Sequence, residues 1–245
     1  MSMDKNKLTA EDFEAMPTLG DIARFHAKAR PDSIALTFEG RDTSFKQFDL
    51  NTNQVANALT ASGVKKGQRI AYIGKNSDHY FELFFGASKV GVVMVPIGWR
   101  LAPAEMAYML SDSEAPLVFI GPEVQKEALQ AIDESDITPN PIFMEATDET
   151  GFVAWRDAAA TTDPDIEVNE SDVAIQLYTS GTTGRPKGAM LTQDNLASNA
   201  KTLHDHWHFQ AGDVLLHALP IFHVHGLFVA LHCAFLSGSK VIFLK

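Results

Sequence analysis

Residues 176–191, QLYTSGTTGRPKGAML, set Ser180, Thr182 and Thr183 among Gly181, Gly184 and Gly188, with Pro186 and Lys187 close behind. Glycine takes positive φ at little cost, so Gly181, Gly184 and Gly188 can turn successive backbone N–H groups toward one point. The hydroxyls add donors and Lys187 adds a full positive charge. Such a set suits phosphate oxygens. The commoner phosphate loop needs a second glycine five positions after the first, followed by Lys-Ser or Lys-Thr; counting from Gly181, that position is Pro186. The spacing therefore points to a different phosphate-binding design. A flexible Ser/Thr/Gly linker is the alternative, disfavoured because apolar segments flank the stretch and a proline and a lysine stand beside its glycines.

Further along, LPIFHVHGL (219–227) carries His223 and His225. A neutral imidazole at 223 could hydrogen-bond a carboxylate or gate a pocket; the alternative is a histidine packed on an apolar element. His225 raises an HxH metal pair, with no third ligand evident. His204 and His208 stand four apart on an expected helix, a zinc-compatible spacing, but no glutamate base or distant ligand accompanies them, which favours a solvated face. Trp99 and Arg100 follow a strand-like run ending at Ile97, where ligands meet parallel sheets; a loop packed on the core is the alternative.

These residues sit in a chain of 245 residues, 45% hydrophobic and 21% charged, enough to bury a substantial core. Thirty-one acidic against twenty basic side chains give a net charge of −11, which argues against a nucleic-acid backbone or an anionic membrane and favours a small-molecule partner. The lone Cys233 cannot form an internal disulfide, and no charged-then-apolar leader opens the sequence, so a cytoplasmic location is expected. Val214–Ser239 lacks Lys, Arg, Asp and Glu, yet Pro220, Gly226, His217, His223, His225 and His232 interrupt it. It reads as strand, turn and helix rather than an integral membrane segment.

The elements that must position the loop follow from periodicity. Ile22, Phe25 and Ala29 mark a helix from Thr18; IALTFEG alternates as a strand; Ser44 and Gln47 form a capping-box pattern opening a helix that Gly63 ends. RIAYIG, VVMVPI and PLVFI read as strands between helices at DHYFELFFGASKV, APAEMAYMLSDS and Glu123–Ser135. The alternation predicts an α/β fold, a doubly wound and mostly parallel sheet with flanking helices. Residues 1–17 read as a tail, 18–160 as a first α/β subdomain, 161–172 (TTDPDIEVNESD) as an acidic surface connection, and 173–245 as the start of a second subdomain carrying the loop. This last part holds VAIQLY, GAML, a helix from Gln193 to Phe209, VLLHALP, an apolar helix after Val224 and KVIFLK, and its ending on a strand-like run suggests a fragment.

YTSGTTGRPKG (178–188) resembles the phosphate-loop signature of the adenylate-forming superfamily of acyl-CoA synthetases, luciferases and peptide-synthetase adenylation domains. LPIFHVHGL is similar to that superfamily's next motif, an aromatic-His stretch at the acyl pocket, and VPIGWRLAPAEMAYMLSDSEA to the stretch preceding the loop. Before the acidic connection the chain resembles bacterial medium- and long-chain fatty acyl-CoA ligases. After it, KGAMLTQDNLASNAKTL and LLHALPIFHVHGLFVA are closer to malonyl-CoA synthetases.

The resemblance implies the N-terminal part of the large domain of an ATP-dependent carboxylic acid:CoA ligase. The acid, a fatty acid or malonate, is activated as acyl-adenylate and then transferred to CoA. It assigns Thr179, Ser180, Gly181, Thr182, Thr183, Gly184, Pro186 and Lys187 to nucleotide binding, Thr179 to Mg2+, and Lys187 and His223 to catalysis. Arg185 and Cys233 receive no role. Members of the superfamily run to roughly twice this length, and their later motifs, including the acidic magnesium ligand, the ribose-binding aspartate and the C-terminal lysine, have no counterpart here. Residues 1–245 alone are therefore expected to be inactive, and a non-catalytic nucleotide-binding module stays open as the alternative.

Overall fold

The computed structural model describes residues 7–179, 185–221 and 225–245, with 225, 226 and 229 as backbone only. A short helix, α1 (Ala10–Glu14), opens on a capping box between Thr9 and Asp12, and Met16 behind it is fully buried, so the expected tail is partly packed. Thr18 caps α2 (Leu19–Ala29), and β1 (Ile34–Phe38) turns through Glu39 and Gly40 into β2 (Arg41–Ser44). Ser44 caps α3 (Phe45–Ala61) by accepting the Gln47 N–H. The Gln47 amide instead donates to Asn51 Oδ1 at 2.7 Å, so the expected capping box is half formed.

The expected alternation follows as β3 (Arg69–Ile73), α4 (Asp78–Lys89), β4 (Val93–Ile97), α5 (Pro103–Ser113), β5 (Leu117–Ile120) and α6 (Gln125–Glu134). β6 (Asn140–Phe143) and α7 (Phe152–Asp157) are additions that the periodicity did not announce. Then come β7 (Val173–Thr179), β8 (Lys187–Thr192), α8 (Gln193–Trp207) and β9 (Val214–His217). A π-helical stretch, His225–Leu231, runs into α9 (His232–Ser237), and β10 (Lys240–Phe243) closes the order. Among the described residues, no helix is long and apolar enough to cross a membrane.

The strands form two sheets, one ordered β2-β1-β10-β9 and the other β6-β5-β3-β4-β7-β8. Pairing is parallel except at β1–β2 and β7–β8, as expected of a mostly parallel α/β fold. Each sheet draws strands from both sides of residues 161–172, so that stretch separates segments of sequence but not sheets. It is exposed and irregular, and it is bound along its length: Arg24 pairs with Asp163 at 2.6 Å, Lys66 with Asp172 at 2.7 Å, and Asn57 Nδ2 donates to the carbonyls of Ala160 and Thr162.

The main core lies between the sheets, where Phe48, Phe81, Phe85 and Phe235 pack ring to ring. α3 and α4 approach closely at Gly86, where a Cβ would fall 2.5 Å from Val55 Cγ1 and 2.8 Å from the Thr52 carbonyl oxygen. A backbone oxygen and a β-branched side chain cannot yield cheaply. Gly86→Ala is expected to cost about 1–3 kcal/mol by overpacking, read as a lower urea midpoint at unchanged m-value.

Of the buried histidines, His26 and His232 lie deep in this core. His26 Nε2 lies 3.0 Å from the Leu236 carbonyl, while neither ring nitrogen of His232 has a partner in the described structure. Burial pushes both down to about 4. Above the ordinary value near 6.5 both rings are neutral whether folded or not. Below it the unfolded chain takes up protons that the folded rings refuse until about pH 4, so stability falls across that window by about 1.4 kcal/mol per pH unit for each histidine. His232→Leu removes two unpartnered ring nitrogens. It should raise the urea midpoint at pH 7 and make the decline from pH 6.5 to 4.5 shallower than in the wild type.

Candidate functional site

Of the residues expected to bind phosphate, Thr179 and Lys187 lie on the β7–β8 hairpin and Pro186 directly precedes β8. Val173–Thr179 runs into the sheet beside β4, and the register pairs Tyr178 with Gly188 and Thr179 with Lys187. The structure thus brings Thr179 and Lys187, eight positions apart in sequence, to opposite sides of the hairpin mouth. Both are exposed, as is Arg185, and Pro186 is half-buried. Ser180, Gly181, Thr182, Thr183 and Gly184, and likewise His223, lie outside the described residues. Neither Lys187 nor Arg185 has an acidic partner among the described residues.

Gly188 is corrected in its reason, though not in its place. It sits within β8 and not at positive φ. A Cβ there would fall 2.5 Å from Nε2 of Gln176 on β7. Gln176 is itself fixed, because its Oε1 accepts from Arg69 Nε at 3.2 Å and its Nε2 donates to the Tyr178 hydroxyl at 2.9 Å. Glycine is required by close approach across the hairpin. Tyr178 in turn donates to Asp112 Oδ2 on α5 at 2.6 Å. Burial, with that carboxylate beside it, holds the phenol well above its usual range, so it stays protonated as a donor.

A second group of residues gathers at the C-terminal ends of the parallel strands. β3, β4 and β5 end in register at Ile73, Ile97 and Ile120. Just beyond β4, Trp99 is flanked by two cations, with the Lys75 ammonium 5.1 Å and the Arg100 guanidinium 4.8 Å from its ring centroid. These three side chains line a cavity of about 300 Å³ together with Asn76, Pro220 and Lys245. Asn76 ties the two sheets together at this edge. Its Nδ2 donates to the carbonyls of Leu219 and Leu244 at 3.1 and 2.9 Å, and its Oδ1 accepts from the Ile221 N–H at 3.1 Å. Trp99 and Arg100 were candidates from sequence; Lys75 and Asn76 were not. Their only signal was a polar KNS run directly after the apolar strand RIAYIG.

Of the other candidate histidines, His204 turns inward, His208 is exposed, and the His225 side chain lies outside the described residues. His204 is buried edge-on against Phe13, with ring centroids 5.1 Å apart, instead of lying on a solvated face, and His208 ends α8 at φ 56°. Cys233 is buried, and burial pushes its thiol up to about 12, which leaves it a packing residue.

A family model described as AMP-binding enzyme matches residues 24–245. The chain is 36% identical over 248 residues to the fatty acid–[acyl-carrier-protein] ligase ScoC of Streptomyces coeruleorubidus, an alignment covering 94% of this chain and 44% of that protein. The inhibitor-bound N-terminal domain of FACL13 from Mycobacterium tuberculosis shares the fold with a TM-score of 0.84 at 31% identity, covering 93% of this chain and 57% of that one. ATP-bound MatB from Rhodopseudomonas palustris matches with a TM-score of 0.81 at 33% identity, covering 93% and 45% of the two chains. The chain thus spans less than half the length of the curated relatives it matches.

Proposed function

This chain belongs to the family of AMP-binding enzymes, and we propose that it supplies the phosphate-binding end of an ATP-dependent ligase that joins a carboxylic acid to a thiol through an acyl-adenylate. The observation that carries this reading is the hairpin mouth, where the signature's Thr179 and Lys187 face one another, exposed, beside Arg185 and without an acidic partner among the described residues.

In the first step the carboxylate oxygen attacks the α-phosphorus of ATP and the bond to the bridging oxygen of pyrophosphate breaks. The substrate is its own nucleophile, so the chain's task is to bind, orient and stabilise charge. The Lys187 ammonium meets the β- and γ-phosphate oxygens, on which charge builds as pyrophosphate departs; Ser180, Gly181, Thr182, Thr183 and Gly184 supply the remaining donors of the cradle, and Pro186, which has no N–H to donate, contributes only the fixed backbone that leads into Lys187. Mg2+ takes oxygen ligands and draws most of them from phosphate and water, so one exposed hydroxyl at the end of β7, that of Thr179, fits it. When bound, the ion offsets phosphate charge.

His223 is assigned to the acyl end by its place in LPIFHVHGL, with a fatty acid or malonate as the acid. CoA is the acceptor favoured by the resemblance. Because the name of ScoC specifies an acyl-carrier protein, the acceptor is tested with both thiols. The experiment is the protein translated from the whole reading frame, ATP and a panel of carboxylic acids, with AMP, pyrophosphate and thioester measured for CoA and for a phosphopantetheinyl carrier protein. AMP and pyrophosphate formed in equal amounts, only with acid present, support the ligase. Nucleotide binding with no acid-dependent turnover would favour the non-catalytic module.

A further inference from the structure

Tyr108 and Asp112 stand four residues apart on α5, one turn of helix, and so share a face. That face meets both arms of the β7–β8 hairpin. On the outgoing arm, Tyr178 donates its hydroxyl proton to Asp112 Oδ2. On the return arm, the Tyr108 hydroxyl donates to the Pro186 carbonyl at 3.1 Å, and the Arg185 guanidinium lies 5.2 Å from the Tyr108 ring centroid. The two tyrosine rings meet edge to face, 6.5 Å between centroids. Tyr178 immediately precedes Thr179 and Pro186 immediately precedes Lys187, the pair opposed at the hairpin mouth.

Proline has no N–H, so the carbonyl that Tyr108 engages is the only backbone polar group Pro186 has. Sheet pairing alone fixes how far apart two strands lie; it does not fix how their ends are aimed. A helix gripping one residue on each arm fixes both, and contacts ordered before a ligand arrives lower the cost of ordering them when it binds.

We propose that Tyr108 and Asp112 are positioning residues: α5 holds the two arms of the hairpin through Tyr178 and Pro186 and thereby presets Thr179 and Lys187 for phosphate. The clamp rests on the phosphate reading of this hairpin for its purpose, but not for its existence. Tyr108→Phe keeps the ring and the Arg185 contact and removes the hydroxyl alone, and Asp112→Ala removes the other grip.

Both variants, and the double variant, are made in the protein translated from the whole reading frame. Hydrogen exchange is followed without nucleotide in peptides covering 173–179 and 185–192. The KM for ATP, the KM for the acid and the rate of thioester formation from a supplied acyl-adenylate are then measured. Loss of one net hydrogen bond should raise the KM for ATP about fivefold in Tyr108→Phe, and further in the double variant. Exchange in the hairpin peptides should quicken, while the KM for the acid and the thioester step stay within about twofold of wild type. Unchanged exchange and an unchanged KM for ATP would overturn the proposal. So would equal losses in all three kinetic readouts, the mark of general structural damage. Faster exchange in the variants of a protein whose wild type binds no ATP would uphold the clamp and reject the phosphate reading, so the two failures are distinguishable.

Discussion

Lys187→Ala, made in the protein translated from the whole reading frame, is expected to slow acyl-adenylate formation about a hundredfold, roughly 3 kcal/mol of transition-state stabilisation, by analogy with the loss of one preorganised donor. Thioester formation from a supplied acyl-adenylate should stay close to the wild-type rate. The asymmetry follows from chemistry: pyrophosphate has left before the thiol attacks, so a residue that meets its charge has nothing to hold in the second step. Lys187 is exposed at the start of β8, opposite Thr179, and truncating an exposed side chain costs the fold little. A loss confined to adenylation therefore reports on phosphate, while parallel losses in both steps would make the lysine a structural residue.

The largest effect on stability is expected at Glu82, far from the hairpin. Its carboxylate is almost fully buried, and it accepts from Asn51 Nδ2 at 2.6 Å and Arg156 Nη1 at 2.5 Å, with His79 Nδ1 at 3.0 Å. These bonds join α4 to α3 and α7. Glu82→Ala leaves the buried Arg156 guanidinium and the Asn51 amide without this partner. Breaking a buried pair by removing one member costs about 3–5 kcal/mol, visible as a large fall in urea midpoint. Burial alone would raise the Glu82 carboxyl, but His79, Arg156 and Asn51 outweigh it and hold the group below its usual range. The sign follows. The stability it contributes is complete above the ordinary carboxylate value and is lost as pH falls through its lower folded value, a loss that Glu82→Ala should abolish.

The parts of this molecule written in local pattern are legible in the amino-acid sequence itself. Strands β3, β4, β5 and β7 are short apolar runs between polar turns, and Thr18 and Ser44 are helix caps with their partners three residues on. β6 and α7 are not legible there, because Pro141 lies inside a four-residue strand and six helical residues are too few to show a period. The sheet partition is hidden for a different reason. β1 pairs with β10, Leu36 opposite Val241, and nothing local in either segment names a partner that distant in sequence.

At the candidate site, residue types suggest a phosphate loop, and the structure supplies the contacts that hold the two arms leading to it. Gly188 was expected for its φ and is needed for the closeness of Gln176. Asn76, which binds the C-terminal ends of β9 and β10 to the residues after β3, reads in the sequence only as a polar turn. His204, expected on a solvated face, turns inward because Phe13 of α1 covers it, a contact between segments far apart in sequence.

The reading as an adenylate-forming enzyme is tested most directly by isotope exchange between pyrophosphate and ATP in the protein translated from the whole reading frame, without any thiol. Reversal of the first step carries label from pyrophosphate into ATP only if an acyl-adenylate forms. Exchange is expected to require a carboxylic acid and to fall about a hundredfold in Lys187→Ala. No exchange with any acid across a broad panel, or release of ADP and phosphate in place of AMP and pyrophosphate, would contradict it.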